Sequence, residues 1–161
     1  MKTTKQTLGD RGEAYVVETL RCPGCKRLDR TLRTLPANFK CADVICDFCG
    51  YLAQVKTVSV EDSLPTTCPR TILGAAWGPQ KQRMDSGIFI SLFVVVVSKS
   101  NGEMRAFFLP GDLQTFEMFV PRNPLSSSAR RSGWQGFILR TDLAIGVPVA
   151  CDNMARVQTK A

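Results

Sequence analysis

Residues 40–57, KCADVICDFCGYLAQVKT, decide the fold. Two β-prone segments, 39–45 and 51–59, flank the turn CDFCG, which predicts an antiparallel hairpin closed by a cysteine knuckle. Asp43 lies on the incoming strand, whereas Gln54 and Lys56 lie two apart on the outgoing one and therefore share a face. A hairpin can gather all three. Such a trio suits a hard divalent cation: Asp43 offers a charged oxygen, Gln54 a neutral one, and Lys56 can orient a water or stabilise charge on a phosphate. Polar residues on the open face of any hairpin would give the same short pattern, so the residues alone leave both readings open. Asp47, inside the knuckle, reads as a solvated turn residue.

Working outward, Cys46-x-x-Cys49 has a counterpart in Cys22-x-x-Cys25, with 20 residues between the two pairs. This is the spacing at which two thiolate pairs close one tetrahedral Zn²⁺ site. Four thiolates leave no coordination position open to water, so the zinc is expected to be structural, tying the preceding helix to the hairpin. The competing reading is four buried or redox-active thiols. Cys41, Cys68 and Cys151 have no evident partner and read as buried structural cysteines.

Asp10, followed by Glu13, signals a capped helix over 10–20. Residues 61–70 read as loop and 71–84 as a helix interrupted by glycine and proline. The run IFISLFVVVV, 88–97, is too short for a membrane helix and rich in strand formers, so 87–98 is expected to be the central, doubly buried strand. SNGE then turns the chain so that 104–109 returns beside it. A short helix is expected after Pro110, an exposed loop over 121–136, one or two strands within 137–150, and a frayed tail after Cys151. At 161 residues with 44% apolar content, the chain is read as one domain, 1–161, with the zinc element at 22–49.

Composition narrows the chemistry. There is no histidine, which excludes Ser-His-Asp and Cys-His catalysis, histidine-ligated metalloproteases and zinc deaminases. Hydrolysis would have to rest on carboxylates, amides, lysine and metal. A formal net charge of +7 favours a polyanionic partner, though a solvated basic surface explains it almost as well. The polar N-terminus and the seven cysteines fit a reducing, cytoplasmic setting with no membrane association.

Three pieces, EAYVVETLRCPGC, ADVICDFCGYLAQVK and LSSSARRSGWQG, in that order, resemble the PD-(D/E)xK nuclease superfamily and, within it, restriction endonucleases of the DpnI and Dam-replacing type. The resemblance implies a restriction-endonuclease-like α/β fold: a mixed sheet flanked by helices, cutting double-stranded DNA with Mg²⁺ or Mn²⁺. It places Asp43 at the metal-binding aspartate, Lys56 at the active-site lysine, the Val55 carbonyl as a further magnesium ligand, and Glu13 as a helix carboxylate near the metal. Arg130, Arg131 and Trp134 match an Ala-Arg-Arg-x-Gly-Trp segment expected to face DNA or brace a loop. Gln54 replaces the usual glutamate, which removes one negative charge and should weaken Mg²⁺. The methyl-directed relatives carry a C-terminal winged helix that this chain is not expected to have, so specificity would come from the catalytic domain, a homodimer or a separate partner. Two other readings stay open: a zinc-stabilised DNA-binding module with a degenerate, inactive site, and a zinc ribbon that binds proteins.

Overall fold

A computed structural model describes residues 1–151. It falls into two compact units, one built from residues 1–68, 90–110 and 148–151, the other from 69–89 and 111–147.

The first unit is a six-stranded mixed sheet with one long helix. The strands are β1 (Leu32–Thr34), β2 (Val44–Cys46), β3 (Leu52–Val60), β5 (Ser91–Ser98), β6 (Met104–Leu109) and β9 (Val149–Ala150), in the spatial order β1-β2-β3-β5-β6-β9. Among the described strands of this sheet only β3 and β5 are parallel, paired from Ala53–Ser91 to Val60–Ser98. All eight residues of β5 are buried, as its unbroken β-branched run predicts. The expected hairpin is present with Val44 opposite Ala53, and β6 returns antiparallel to β5.

Helix α1 (Thr4–Thr19) begins a turn and a half earlier than Asp10 and Glu13 had indicated. Its cap is Thr3, whose hydroxyl accepts from the Gln6 N–H at 3.2 Å while the Gln6 side chain accepts from the Thr3 N–H at 2.8 Å. This reciprocal arrangement satisfies two orphan donors, and Asp10 is thereby left mid-helix, where it pairs with Lys2 at 2.7 Å. The buried stripe of α1 is narrow, Gly12 and Val16. Val16 joins Leu32, Val44, Ala53, Val55, Phe93 and Val95 in one core. Gly12 is required there, because a Cβ would fall inside the radius of Thr57 Oγ1 and only 2.9 Å from Thr57 Cβ.

In the second unit, β4 (Thr71–Gly74), β7 (Phe119–Pro121) and β8 (Phe137–Arg140) form a separate antiparallel sheet in the order β4-β8-β7. The helix expected over 71–84 is therefore corrected: its first part is strand, and α2 occupies only Trp77–Asp85. TILG pairs along its whole length with FILR, and Gly74 lets the Phe137 ring lie against its backbone. Two 3₁₀ turns, Gly111–Leu113 and Phe116–Met118, stand where one short helix was expected. The segment 122–136 is an irregular loop, in keeping with its polar, broken composition. The tail after residue 151 lies outside the described residues. No helix among the described residues is long and apolar enough to cross a membrane.

Candidate metal centres and active site

The two Cys-x-x-Cys turns meet. One lies between α1 and β1, the other between β2 and β3, and antiparallel pairing of Leu32 with Cys46 fixes their approach. The four sulfurs lie within 4.8 Å of one another, with Cys22–Cys49 at 3.6 Å and Cys25–Cys46 at 4.0 Å. Zinc–sulfur bonds of about 2.3 Å at tetrahedral angles separate sulfurs by roughly 3.8 Å, so the cage has the size for zinc. Donors already point at the sulfurs: the Gly24 N–H to Cys22 at 3.3 Å, the Cys49 N–H to Cys46 at 3.4 Å, and the Thr31 hydroxyl 3.0 Å from Cys46. Burial pushes the Cys22 thiol well up and raises Cys49 as well. At Cys46 burial also opposes ionisation, but the Thr31 hydroxyl and the Cys49 and Phe48 N–H groups outweigh it and lower the thiol to about 6. The four cysteines can hold a zinc ion.

At the other end of the same hairpin, β2 parts from β3. Asp43 donates its N–H to the Ala53 carbonyl at 3.0 Å, although Val44 is the register partner of Ala53. Two residues thus stand opposite one, a bulge that turns the Asp43 side chain out of the ladder. Its Oδ2 accepts from the Val55 N–H at 2.7 Å. The N–H and C=O of one strand residue point to the same neighbour, so the Val55 carbonyl faces the same gap. Asp43 also shares a cavity of about 300 Å³ with Asp10, Glu13, Leu35, Pro36 and Phe39. Glu13 is half-buried there and its carboxyl is raised by burial, then by the charges of Asp43 and Asp10. The three carboxylates line the cavity wall and do not converge as tightly as the thiols do. Hard oxygen donors beside a concentration of negative charge form a fitting environment for Mg²⁺ or Mn²⁺.

Gln54 and Lys56 flank Val55 and alternate with Ala53 and Val55, whose side chains pack in the core with Val16. Gln54 Nε2 donates to the Cys41 carbonyl at 3.1 Å, which leaves the amide oxygen as its remaining ligand atom. The structure thus brings Glu13, Asp43 and the Val55 backbone together, and it sets Gln54 and Lys56 side by side on the face of β3 opposite the Ala53 and Val55 side chains. Asp47 is exposed and pairs with Arg33 at 3.0 Å, as suits a turn residue. Cys68 is buried, Cys41 and Cys151 half-buried. Asp10, read from the sequence only as a cap, lines the same cavity as Glu13 and Asp43, one turn before Glu13.

Arg130, Arg131 and Trp134 belong to the second unit. Trp134 is half-buried, contacts Gly136 and accepts the Leu125 N–H at its carbonyl at 2.9 Å; the Arg131 guanidinium lies 5.9 Å from its ring centre. Gly133, at φ +75°, supplies the left-handed step that closes the loop. Arg130 and Arg131 are exposed on this anchored loop.

A four-thiol knuckle that could hold a zinc ion and a cavity lined by Asp43 of the hairpin with Asp10 and Glu13 of α1 thus lie in one mixed α/β unit. The chain belongs to the DpnI family, the Dam-replacing family, whose family model matches residues 2–147. This is a family of restriction-type nucleases, and the resemblance read from the three sequence pieces is borne out. No curated protein matches the chain.

Proposed function

We propose that this protein is a divalent-metal-dependent DNA endonuclease of the restriction type, acting in the cytoplasm, with the four-cysteine zinc serving structure alone. The observation that carries the reading is the Asp43 carboxylate, held by the Val55 N–H in the gap between β2 and β3 and sharing a cavity with Glu13. Asp43, Glu13, the Val55 carbonyl and the Gln54 amide oxygen would hold Mg²⁺ or Mn²⁺. When bound, the ion supplies positive charge that neutralises a phosphate undergoing attack.

The chain's own residues do the rest. The bulge and the Val55 N–H fix Asp43 before any ligand arrives, so little reorganisation is needed at the site. Glu13 is carried by a helix pinned to β3 through the Gly12–Thr57 contact, which sets its distance from Asp43. Lys56 would orient the attacking water or balance charge on the phosphate. Arg130 and Arg131, on the loop braced by Trp134, would bind DNA phosphates. Replacement of the usual acid by Gln54 removes one charge and predicts weaker metal binding.

Plasmid digestion in Mg²⁺ or Mn²⁺ tests the proposal. Cleavage by the wild type that is lost in Lys56→Ala and Asp43→Asn supports it. Intact plasmid, methylated and unmethylated alike, together with steeply salt-dependent binding indifferent to Mg²⁺, would replace it with a DNA-binding module whose catalytic site has decayed.

A further inference from the structure

The knuckle presents more than its four thiols. Phe48 sits at its tip and is 62% exposed, and Leu28 beside the other cysteine pair is 69% exposed. The Arg27 guanidinium lies 4.7 Å from the Phe48 ring centre, covering one face of the ring, and is itself fixed by two hydrogen bonds to Asp29 at 2.7 and 2.8 Å. An exposed phenylalanine so braced, on a turn whose ends are both cysteines of the cage, offers its other face as a rigid apolar surface.

The surroundings are basic. Of the exposed cations here, Arg27 is matched by Asp29 and Arg33 by Asp47, whereas Arg21, Lys26 and Arg30 have no ion-pair partner among the described residues. Arg21 and Lys26 flank the first cysteine pair in the chain, and Arg21 lines a concavity with Leu28, Asp29 and Arg30, whose guanidinium donates to the Glu18 carbonyl. An apolar tip and unmatched cations carried on one cysteine cage complement a polyanion that also presents apolar rings and sugars. Duplex DNA has that chemistry.

We propose that the zinc knuckle is a DNA-contacting surface, in which Arg21 and Lys26 engage phosphates and Phe48 packs against sugars or base edges of the minor groove. This inference rests on the reading that DNA is the substrate. Position follows from the hairpin: Phe48 is the fifth residue after Asp43, which limits their Cα–Cα separation to about 18 Å of extended chain. With side-chain reach added, at roughly 3.4 Å per base step, the knuckle contact falls within about one helical turn of the phosphate to be cut. The cage then has a second use, holding a contact surface at a set distance from the acid.

The test measures binding of a labelled duplex by the full, zinc-loaded chain, with Ca²⁺ replacing Mg²⁺ and salt varied. Arg21→Ala/Lys26→Ala should reduce the slope of log K against log salt by about 1.8, at 0.9 per phosphate contact. Phe48→Ala should weaken binding severalfold with little change in slope, because the ring carries no charge. Zinc content is measured for each variant; if Phe48→Ala releases zinc, the salt slope of the Arg21/Lys26 variant decides alone. Wild-type binding that both variants reproduce in affinity and slope overturns the knuckle surface and leaves the nuclease reading standing. A wild-type chain that binds no duplex even at low salt overturns both.

Discussion

Gly12→Ala is the perturbation that most directly probes how the fold sets the site. In an exposed helix interior this change stabilises by about 1 kcal/mol. Here the added Cβ lies 2.9 Å from Thr57 Cβ and closer still to its hydroxyl, against ordinary contact at 3.4 Å or more. The helix must retreat by at least about 0.5 Å, and more to clear the hydroxyl, loosening Val16 against β3 and β5. Overpacking of this kind costs typically about 1–3 kcal/mol, so the net loss should be up to about 2 kcal/mol after the propensity gain. Thr57→Ala removes the closest atom, and the hydroxyl it deletes is buried without a hydrogen-bond partner among the described residues, so alone it should be almost neutral. The double variant should therefore recover about 1 kcal/mol of the Gly12→Ala loss, read as coupling in a double-mutant cycle by urea denaturation. Mg²⁺ affinity should fall with Gly12→Ala and partly return in the double variant, since Glu13 moves with the helix. Additive stabilities, within about 0.3 kcal/mol, would refute the close approach of α1 to β3.

Other consequences follow from the same geometry. Cys46→Ser should drop bound zinc well below one per chain and lower the melting temperature; full zinc occupancy by elemental analysis would contradict a four-thiolate cage. Gln54→Glu sets a carboxylate against the Cys41 carbonyl that Gln54 now binds, so the metal-free protein should lose on the order of 1 kcal/mol while calorimetry shows tighter Mg²⁺ binding; unchanged Mg²⁺ affinity would remove residue 54 from the ligand set. Glu13 has a raised carboxyl, so its ionisation opposes folding: the penalty is absent below the ordinary carboxylate range and grows as pH rises through the raised value. Glu13→Gln should accordingly stabilise the metal-free chain slightly at pH 7.5, by less than about 1 kcal/mol after solvent screening, and not at pH 4. A melting-temperature difference that is flat with pH would show that Glu13 is not crowded by Asp43.

Much of this architecture was legible because it is local. The β5 run is buried on every residue, and the knuckle spacing speaks for itself. What escaped was decided elsewhere in the chain. β1 holds one buried residue, Leu32, in a polar stretch and becomes a strand only through pairing with β2. Residues 71–74 form a strand because 137–140 arrives beside them, a partnership across more than sixty residues that periodicity cannot reveal. The α1 start was readable from Thr3 and Gln6, but the weak amphipathicity of the helix drew attention to Asp10 and Glu13 instead. In the site, the hairpin predicted Asp43 near Gln54, yet the bulge that turns Asp43 toward Glu13 depends on one backbone hydrogen bond with no sequence signature.

Digestion of matched adenine-methylated and unmethylated plasmids, with sequencing of the ends, tests the proposed activity most directly. The account predicts Mg²⁺- or Mn²⁺-dependent ends at defined positions from the wild type and none from Asp43→Asn under the same conditions. Uncut DNA from both proteins, or identical cutting by both, would contradict it.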